Sequence, residues 1–88
     1  MPFFIAVYDV NVKRAAKMLK LFRRYMTWIQ NSVFEGELSE AQFQRLQAEA
    51  RALMKVDEDS VIFFELGSEK YVRRTALGAE KGEPDRFL

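Results

Sequence analysis

The sequence has no cysteine and no histidine among its 88 residues, and these absences remove several classes of chemistry. Without cysteine there is no disulfide, no thiolate zinc site and no cysteine nucleophile. Without histidine there is no imidazole metal site and no Ser-His-Asp triad. Any hydrolysis must therefore depend on carboxylates acting with a metal ion, or on lysine.

Long apolar runs are also missing from the sequence. No segment approaches the roughly 18–20 consecutive apolar residues that a membrane span needs. The first residues, Met1 to Ile5, lack the basic segment that opens a signal peptide. We therefore expect a cytoplasmic protein with no membrane partner.

Aromatic residues are abundant for so short a chain. They make up 14% of the sequence, whereas a single domain of this size buries only about 60–65% of the surface of its unfolded chain. Some aromatic side chains should then lie at an interface between subunits, and this predicts a homodimer. An aromatic-rich core in a monomer is the alternative.

Hydrophobic periodicity predicts the element order β-α-β-β-α-β with one further strand. The predicted elements are a strand over 3–10, a helix over 12 to about 26, two strands within 28–38, a helix over 39 to about 54, and strands over 60–66 and 71–77. This order is typical of the α+β, ferredoxin-like split β-α-β fold, here with an additional C-terminal strand. Both helices would cover one face of the sheet, and a second copy of the chain would cover the other. The predicted domain spans 1–78, with a polar C-terminal tail over 79–88.

Local signals support this order of elements. Asn11 is predicted to cap the first helix, and its apolar stripe is predicted to contain Ala15, Leu19, Phe22 and Met26. Asn31-Ser32 indicates a tight turn between two strands, although one long strand with a bulge near Gly36 is the alternative. Ser39-Glu40-Ala41-Gln42 has the capping-box pattern that opens a helix.

The charge is strongly segregated along a chain whose net charge is only +1. Residues 10–34 carry six basic residues and no acid. On an ideal helix, Lys13, Lys17, Lys20 and Arg24 fall within an arc of about 60°. A polyanion would relieve their mutual repulsion and release counterions, so this face predicts binding to a phosphate backbone. A basic face that is simply solvated is the alternative, and the acidic run over 57–59 is predicted to be a solvated loop without metal.

One carboxylate has a position that suits metal chemistry. Asp9 ends the first apolar strand and directly precedes the basic helix. A carboxylate there could hold Mg²⁺ for phosphodiester cleavage, while Lys13 and Arg14 hold the phosphate. Two copies of Asp9 brought together by a two-fold axis would supply a pair. The alternative is that Asp9 caps the turn or the start of the helix.

Several segments resemble the CRISPR-associated protein two family. They are Phe4-Ile5-Ala6-Val7-Tyr8-Asp9-Val10, the stretch from Ile29 to Leu38 that contains Asn-Ser-Val-Phe, the strand from Asp59 to Phe64, and Leu77-Gly78. The resemblance runs in order over nearly the whole chain.

The resemblance implies a ferredoxin-like homodimer in which the C-terminal strand of each subunit joins the sheet of the other. It implies a role in CRISPR adaptation, where the dimer bridges the integrase, CRISPR-associated protein one, and supports the DNA to be inserted. It also implies a Mg²⁺-dependent endonuclease acting on single-stranded RNA or double-stranded DNA. Asp9 would be the catalytic residue and metal ligand, with Ser32 and Phe34 supporting the site.

The same resemblance, with the basic face, gives the candidate nucleic-acid contacts. They are Lys13, Arg14, Lys17, Lys20 and Arg24. Some members carry an acid at the position of Asn11 and an arginine at the position of Trp28. Two charged groups of the implied site are therefore missing from this chain. A toxin-like RNase similar to virulence-associated protein D is the alternative function, which the genomic position beside an integrase and a repeat array would exclude.

Overall fold

In the part of the chain that the structure describes, the helices and strands follow one another in the order that the periodicity predicted. The computed structural model of the protein describes residues 1–67 and 71–79. Its elements are β1 (Phe3–Asp9), α1 (Val12–Arg23), β2 (Thr27–Gln30), β3 (Val33–Glu37), α2 (Glu40–Leu53), β4 (Ser60–Leu66) and β5 (Tyr71–Gly78). Neither helix in these two ranges is long and apolar enough to cross a bilayer.

The strands form one antiparallel sheet in the order β2-β3-β1-β4-β5. Each helix connects two strands that have another strand between them, and this is the split β-α-β arrangement. The ferredoxin-like fold with an additional C-terminal strand is therefore confirmed.

β1 lies at the centre of the sheet and its side chains alternate between two environments. Phe4, Ala6 and Tyr8 are buried against the helices, whereas Ile5 and Val7 remain partly exposed. Successive side chains of a strand point to opposite faces. The helices therefore cover only one face of the sheet, and within a single chain the other face keeps apolar side chains in contact with solvent.

Aromatic rings fill the core between the sheet and the helices. The Phe22 ring of α1 lies between 5.3 and 5.9 Å from the ring centres of Tyr8, Phe34 and Phe63. Such offset and tilted contacts add to the free energy gained from burial. Phe4, Tyr8, Phe34 and Phe63 of the strands are thus packed inside the subunit.

The buried face of α1 differs from the predicted stripe. Met18, Leu21 and Phe22 are the buried side chains of this helix, while Ala15 and Leu19 are only partly buried. The helix lies in a corner between the sheet and α2, so its buried face is turned toward both. The helix also ends at Arg23, three residues before the predicted end at Met26.

The local signals are confirmed where the structure describes them. The Asn11 side chain accepts a hydrogen bond from the Lys13 amide, and Ser39 and Gln42 form both bonds of a capping box. Asn31 adopts a positive φ of 46° in the turn between β2 and β3. The alternative of one long strand with a bulge near Gly36 is therefore wrong; the irregular pairing lies between Trp28 and Gln30 of β2.

β5 pairs with β4 of the same chain from Ser60–Gly78 to Leu66–Tyr71. That this strand also joins the sheet of a second subunit, as the resemblance implied, stays a prediction. The Ala79 amide continues the pairing by donating to the Asp59 carbonyl at 2.9 Å. Of the predicted turn over 67–70 and tail over 79–88, residues 68–70 and 80–88 lie outside the described residues.

Gly78 ends β5 where a side chain has no room. Its φ is +82°, and a Cβ atom built there would lie 2.1 Å from the Asp59 carbonyl oxygen and 2.5 Å from the Met54 methyl carbon. Only glycine adopts this backbone conformation without a steric cost. The tight approach fixes the end of β5 against the start of β4.

Replacing Gly78 with alanine should lower the free energy of unfolding by about 3 kcal/mol. The left-handed backbone costs roughly 1–2 kcal/mol for a residue with a Cβ, and the overlap with backbone adds about 1–3 kcal/mol. Urea unfolding of Gly78→Ala against Ala76→Ser, an exposed change in the same strand, measures this loss. Equal stability of the two variants would contradict the conclusion that a side chain at position 78 has no room.

Candidate active site and nucleic-acid interface

Four elements meet at one corner of the fold. The end of β1 lies opposite the start of β4, with Asp9 paired to Ser60, and Gly78 of β5 is paired to Ser60 from the other side. α1 begins at Val12, three residues after the end of β1. The corner therefore brings Asp9 together with the first turn of the basic helix.

Asp9 is exposed and lines a groove of about 460 Å³ between α1 and the turn that joins β2 to β3. Ser32 lines the same groove, and the Ser32 carbonyl accepts a hydrogen bond of 3.1 Å from the Tyr8 amide. This bond holds the turn against the end of β1. The structure thus places Asp9 and Ser32, two predicted site residues, in one groove.

Phe34, the other predicted supporting residue, has a different position. Its side chain is completely buried, and its ring centre lies 5.9 Å from that of Tyr8. Tyr8 itself lines the groove. Phe34 can therefore support the site only through the packing of its neighbour.

Asp59 forms the densest set of polar contacts at the corner. Its carboxylate accepts hydrogen bonds from the backbone amides of Asn11 at 2.9 Å and Lys55 at 2.8 Å. The Arg14 guanidinium donates to both of its oxygens, at 2.5 and 3.1 Å. Because Asp59 is fully buried, the predicted solvated loop over 57–59 is wrong at this residue.

These contacts keep the Asp59 carboxylate charged. The hydrogen bonds from Arg14 lower the pKa of Asp59 to about 2, with further lowering by the Lys55 and Asn11 amides, while burial opposes the shift. A buried carboxylate is tolerated only when its oxygens are paired in this way.

Arg14 has a structural role that the charge pattern did not reveal. Its guanidinium is bound to Asp59 and also donates to Glu58. Sequence reasoning missed this cluster because it assigned Arg14 to the nucleic-acid face and the acidic run to solvent. The sequence did contain a signal for this pair. Asp59 directly precedes one apolar strand, and Arg14 lies in the first turn of the helix that follows another apolar strand.

The other predicted nucleic-acid contacts lie on the surface. Lys13, Lys17, Lys20 and Arg24 are exposed. Three of them line a groove of about 520 Å³ between α1 and α2, together with Leu21, Leu53 and Glu49. Glu49 accepts a hydrogen bond of 2.7 Å from Arg24. The predicted basic face is therefore accessible, and its contact with nucleic acid stays a prediction.

Within one chain, the side chains at the corner provide few ligands for a hard cation such as Mg²⁺. The described residues contain no group of three or more histidine, cysteine, aspartate or glutamate side chains arranged to hold a metal ion. Magnesium, however, keeps several waters and is commonly bound by one or two carboxylates plus substrate phosphates. An exposed carboxylate beside a basic helix fits that mode of binding.

Comparisons with known proteins agree with one another. The family described as "CRISPR associated protein Cas2" matches residues 1–74. The CRISPR-associated endoribonuclease Cas2 of Thermotoga maritima is 49% identical over 98% of both chains, and that of Dictyoglomus turgidum is 45% identical over 98% of this chain and 99% of its own length. A solved structure titled "Crystal structure of cas2" superimposes with a TM-score of 0.72 at 38% identity, covering 93% of this chain and 92% of the other.

The Arg14–Asp59 pair should make the stability of the fold depend on pH in the acid range. Because folding lowers the pKa of Asp59, the pair stabilises the protein above about pH 4, and this stability is lost as the pH falls toward about 2. Removing the guanidinium in Arg14→Met should lower the melting temperature at pH 7 by about 10 °C or more. The variant should also lose less stability than the wild type between pH 4 and pH 2.

Arg24→Met is the matched control for this prediction. It removes an exposed ion pair with Glu49, and such pairs contribute about 1 kcal/mol or less. Melting curves recorded by circular dichroism between pH 2 and pH 7 compare the three proteins. If Arg14→Met and Arg24→Met melt together at pH 7, the buried pair does not stabilise the corner as stated.

Proposed function

Because the chain belongs to the CRISPR-associated protein Cas2 family, we propose that it is a homodimeric, nucleic-acid-binding protein of CRISPR adaptation that cleaves phosphodiester bonds at Asp9. The observation that carries the proposal is the exposed Asp9 carboxylate in a groove beside the basic helix. The names of the relatives, which describe endoribonucleases, support the cleavage. Family membership does not favour the toxin-like alternative.

Asp9 would hold Mg²⁺ in this proposal. When bound, the ion supplies Lewis-acid activation of a phosphate and lowers the pKa of a coordinated water. Lys13, at the first turn of α1, would bind a phosphate that flanks the cleaved bond. Lys17, in the groove beside α2, would bind phosphates farther along the nucleic acid. Ser32, on the opposite wall of the groove, would limit where the nucleic-acid strand can lie.

The dimer is supported by the sheet face that the helices leave uncovered. Ile5, Val7 and Ile62 are partly exposed there, and Phe3 keeps 36% of its surface accessible. A contiguous apolar patch of this kind is typical of a surface between subunits. A second copy on this face would complete the two-sided burial of the sheet and could place two Asp9 carboxylates at one site.

In the adaptation role, the dimer would bridge the integrase, CRISPR-associated protein one, and support the DNA to be inserted. The accessible lysines of α1 support this role because contacts with phosphates require no catalysis. The proposal therefore includes both DNA and RNA as partners. The dimer would support DNA during insertion, and it would cleave either DNA or RNA. Cleavage and bridging can be separated by one substitution.

Replacing Asp9 with asparagine should abolish Mg²⁺-dependent cleavage without weakening binding. Asparagine keeps the size of the side chain but removes the charge that holds the ion, so cleavage of labelled single-stranded RNA and double-stranded DNA should fall at least about 100-fold. Binding of the same substrates in EDTA should change less than about twofold. Spacer capture should persist if bridging needs no cleavage.

Asp57→Asn is the matched control, because Asp57 is an exposed carboxylate of the loop before β4. It should cleave like the wild type. Cleavage that persists in Asp9→Asn would show that the metal ligand is assigned to the wrong residue. Loss of spacer capture together with cleavage would show that the two roles are not separable.

A charge on the uncovered sheet face should separate the subunits. Ile62→Glu places a carboxylate among apolar side chains, where it would be buried without a partner in the dimer. In sedimentation at micromolar concentration, the variant should have the mass of one 10.3 kDa chain and the wild type twice that mass. Val56→Glu, on an exposed residue of the loop after α2, is the control that should remain a dimer. A wild-type monomer at the same concentration would contradict the proposal.

A further inference from the structure

A second groove continues the Asp9 groove along α1. It has a volume of about 300 Å³ and is lined by Ala16, Leu19, Lys20 and Arg23. Ala16 and Leu19 also line the Asp9 groove, so the two grooves adjoin. We name the two together the α1 channel. It runs from Asp9 at the start of α1 to Arg23 at its end.

The walls of the α1 channel suit a flexible anionic chain. Asp9 is the one acidic residue among those that line it, and Lys20 and Arg23 supply positive charge at the other end. From Ala15 to Arg23 the helix rises about 12 Å, which corresponds to roughly three nucleotides at the stacked repeat of about 3.4 Å. Small side chains at positions 15 and 16 leave room beside the helix.

Trp28 lies beside the α1 channel, in contact with Arg23 and Asn31, one residue from each of its two grooves. It lies on the edge strand β2 with 46% of its surface exposed, and the Arg23 guanidinium carbon is 5.8 Å from its ring centre. The indole nitrogen donates a hydrogen bond of 2.8 Å to the carbonyl of Asn31, which itself lines the channel. The indole is therefore held in one orientation by its only donor, and it offers a flat apolar surface.

We propose that the α1 channel binds a single strand of nucleic acid, with one base stacked on Trp28 and the adjoining phosphates on Arg23 and Lys20. Stacking on an aromatic ring beside cationic side chains is the usual way to bind single strands without reading their sequence. Paired bases in a duplex cannot reach the ring without unpairing. The channel would lead the strand toward Asp9, and only this last step rests on the proposed function.

Trp28 also reports on its own occupancy, because it is the only tryptophan in the chain. Its fluorescence should be quenched, with saturation, when a 12-nucleotide oligouridylate or oligothymidylate is titrated into the wild-type protein in EDTA. A 12-base-pair duplex should leave the fluorescence unchanged. The two single strands separate RNA from DNA, and equal quenching by the duplex would overturn the proposal.

Variants test the same contact by a second measurement, the anisotropy of fluorescein-labelled oligouridylate. Trp28→Ala should weaken binding by roughly 5- to 100-fold, as loss of one base-stacking contact does. Trp28→Phe keeps a ring and should stay within about threefold of the wild type. Arg23→Ala should weaken binding, whereas Arg51→Ala, an exposed arginine of α2, should not. Binding by Trp28→Ala within twofold of the wild type would overturn the proposal.

Cleavage assays keep this inference distinct from the proposed function. If the wild type shows Trp28 quenching but no cleavage with Mg²⁺, the nuclease function fails and the channel stands. If the wild type cleaves single strands and Trp28→Ala binds and cleaves them equally well, the channel fails and the nuclease function stands. Asp57→Asn, an exposed carboxylate outside the channel, should show the same quenching in EDTA as the wild type.

Discussion

The corner of the fold depends on one buried carboxylate. Asp59 accepts hydrogen bonds from the amides of Asn11 and Lys55 and from the Arg14 guanidinium, while its own carbonyl accepts the amide of Ala79. One residue therefore connects the start of α1, the start of the loop after α2, β4 and β5. A charge buried without these partners would be strongly destabilising. Because Asn11 follows the end of β1 by only two residues, the same contacts fix the backbone that carries the candidate active site.

This constraint divides the basic segment between structure and surface. Arg14 is committed to the buried pair, so it is less available to a polyanion than the exposed lysines of the same helix. Around the helix axis, Lys17 and Arg24 face the groove beside α2, whereas Arg23 lies over Trp28. A run of charge that looks uniform along the sequence thus serves different purposes, because a helix presents its residues to several neighbours at once.

The candidate site was predictable in part. Asp9 drew attention because it ends an apolar strand before a basic helix, but only the family resemblance favoured it as a metal ligand over a cap; the structure places it in one groove with Ser32. Asp59 was missed because its partner Arg14 lies 45 residues away in the sequence, and a charged run is ordinarily solvated. Trp28 gave no signal of its own, because its exposure depends on β2 being an edge strand.

The amino-acid sequence by itself determined the elements and their order, including the capping box at Ser39 and the turn at Asn31. These features depend on hydrogen bonds and side-chain periodicity within a few residues, and such interactions act locally. Tertiary structure alone decided which face of α1 is buried, that Asp59 is paired inside the protein, and that Gly78 must approach its carbonyl. Burial and charge pairing are properties of the assembled neighbours, and those neighbours are distant in the chain until it folds.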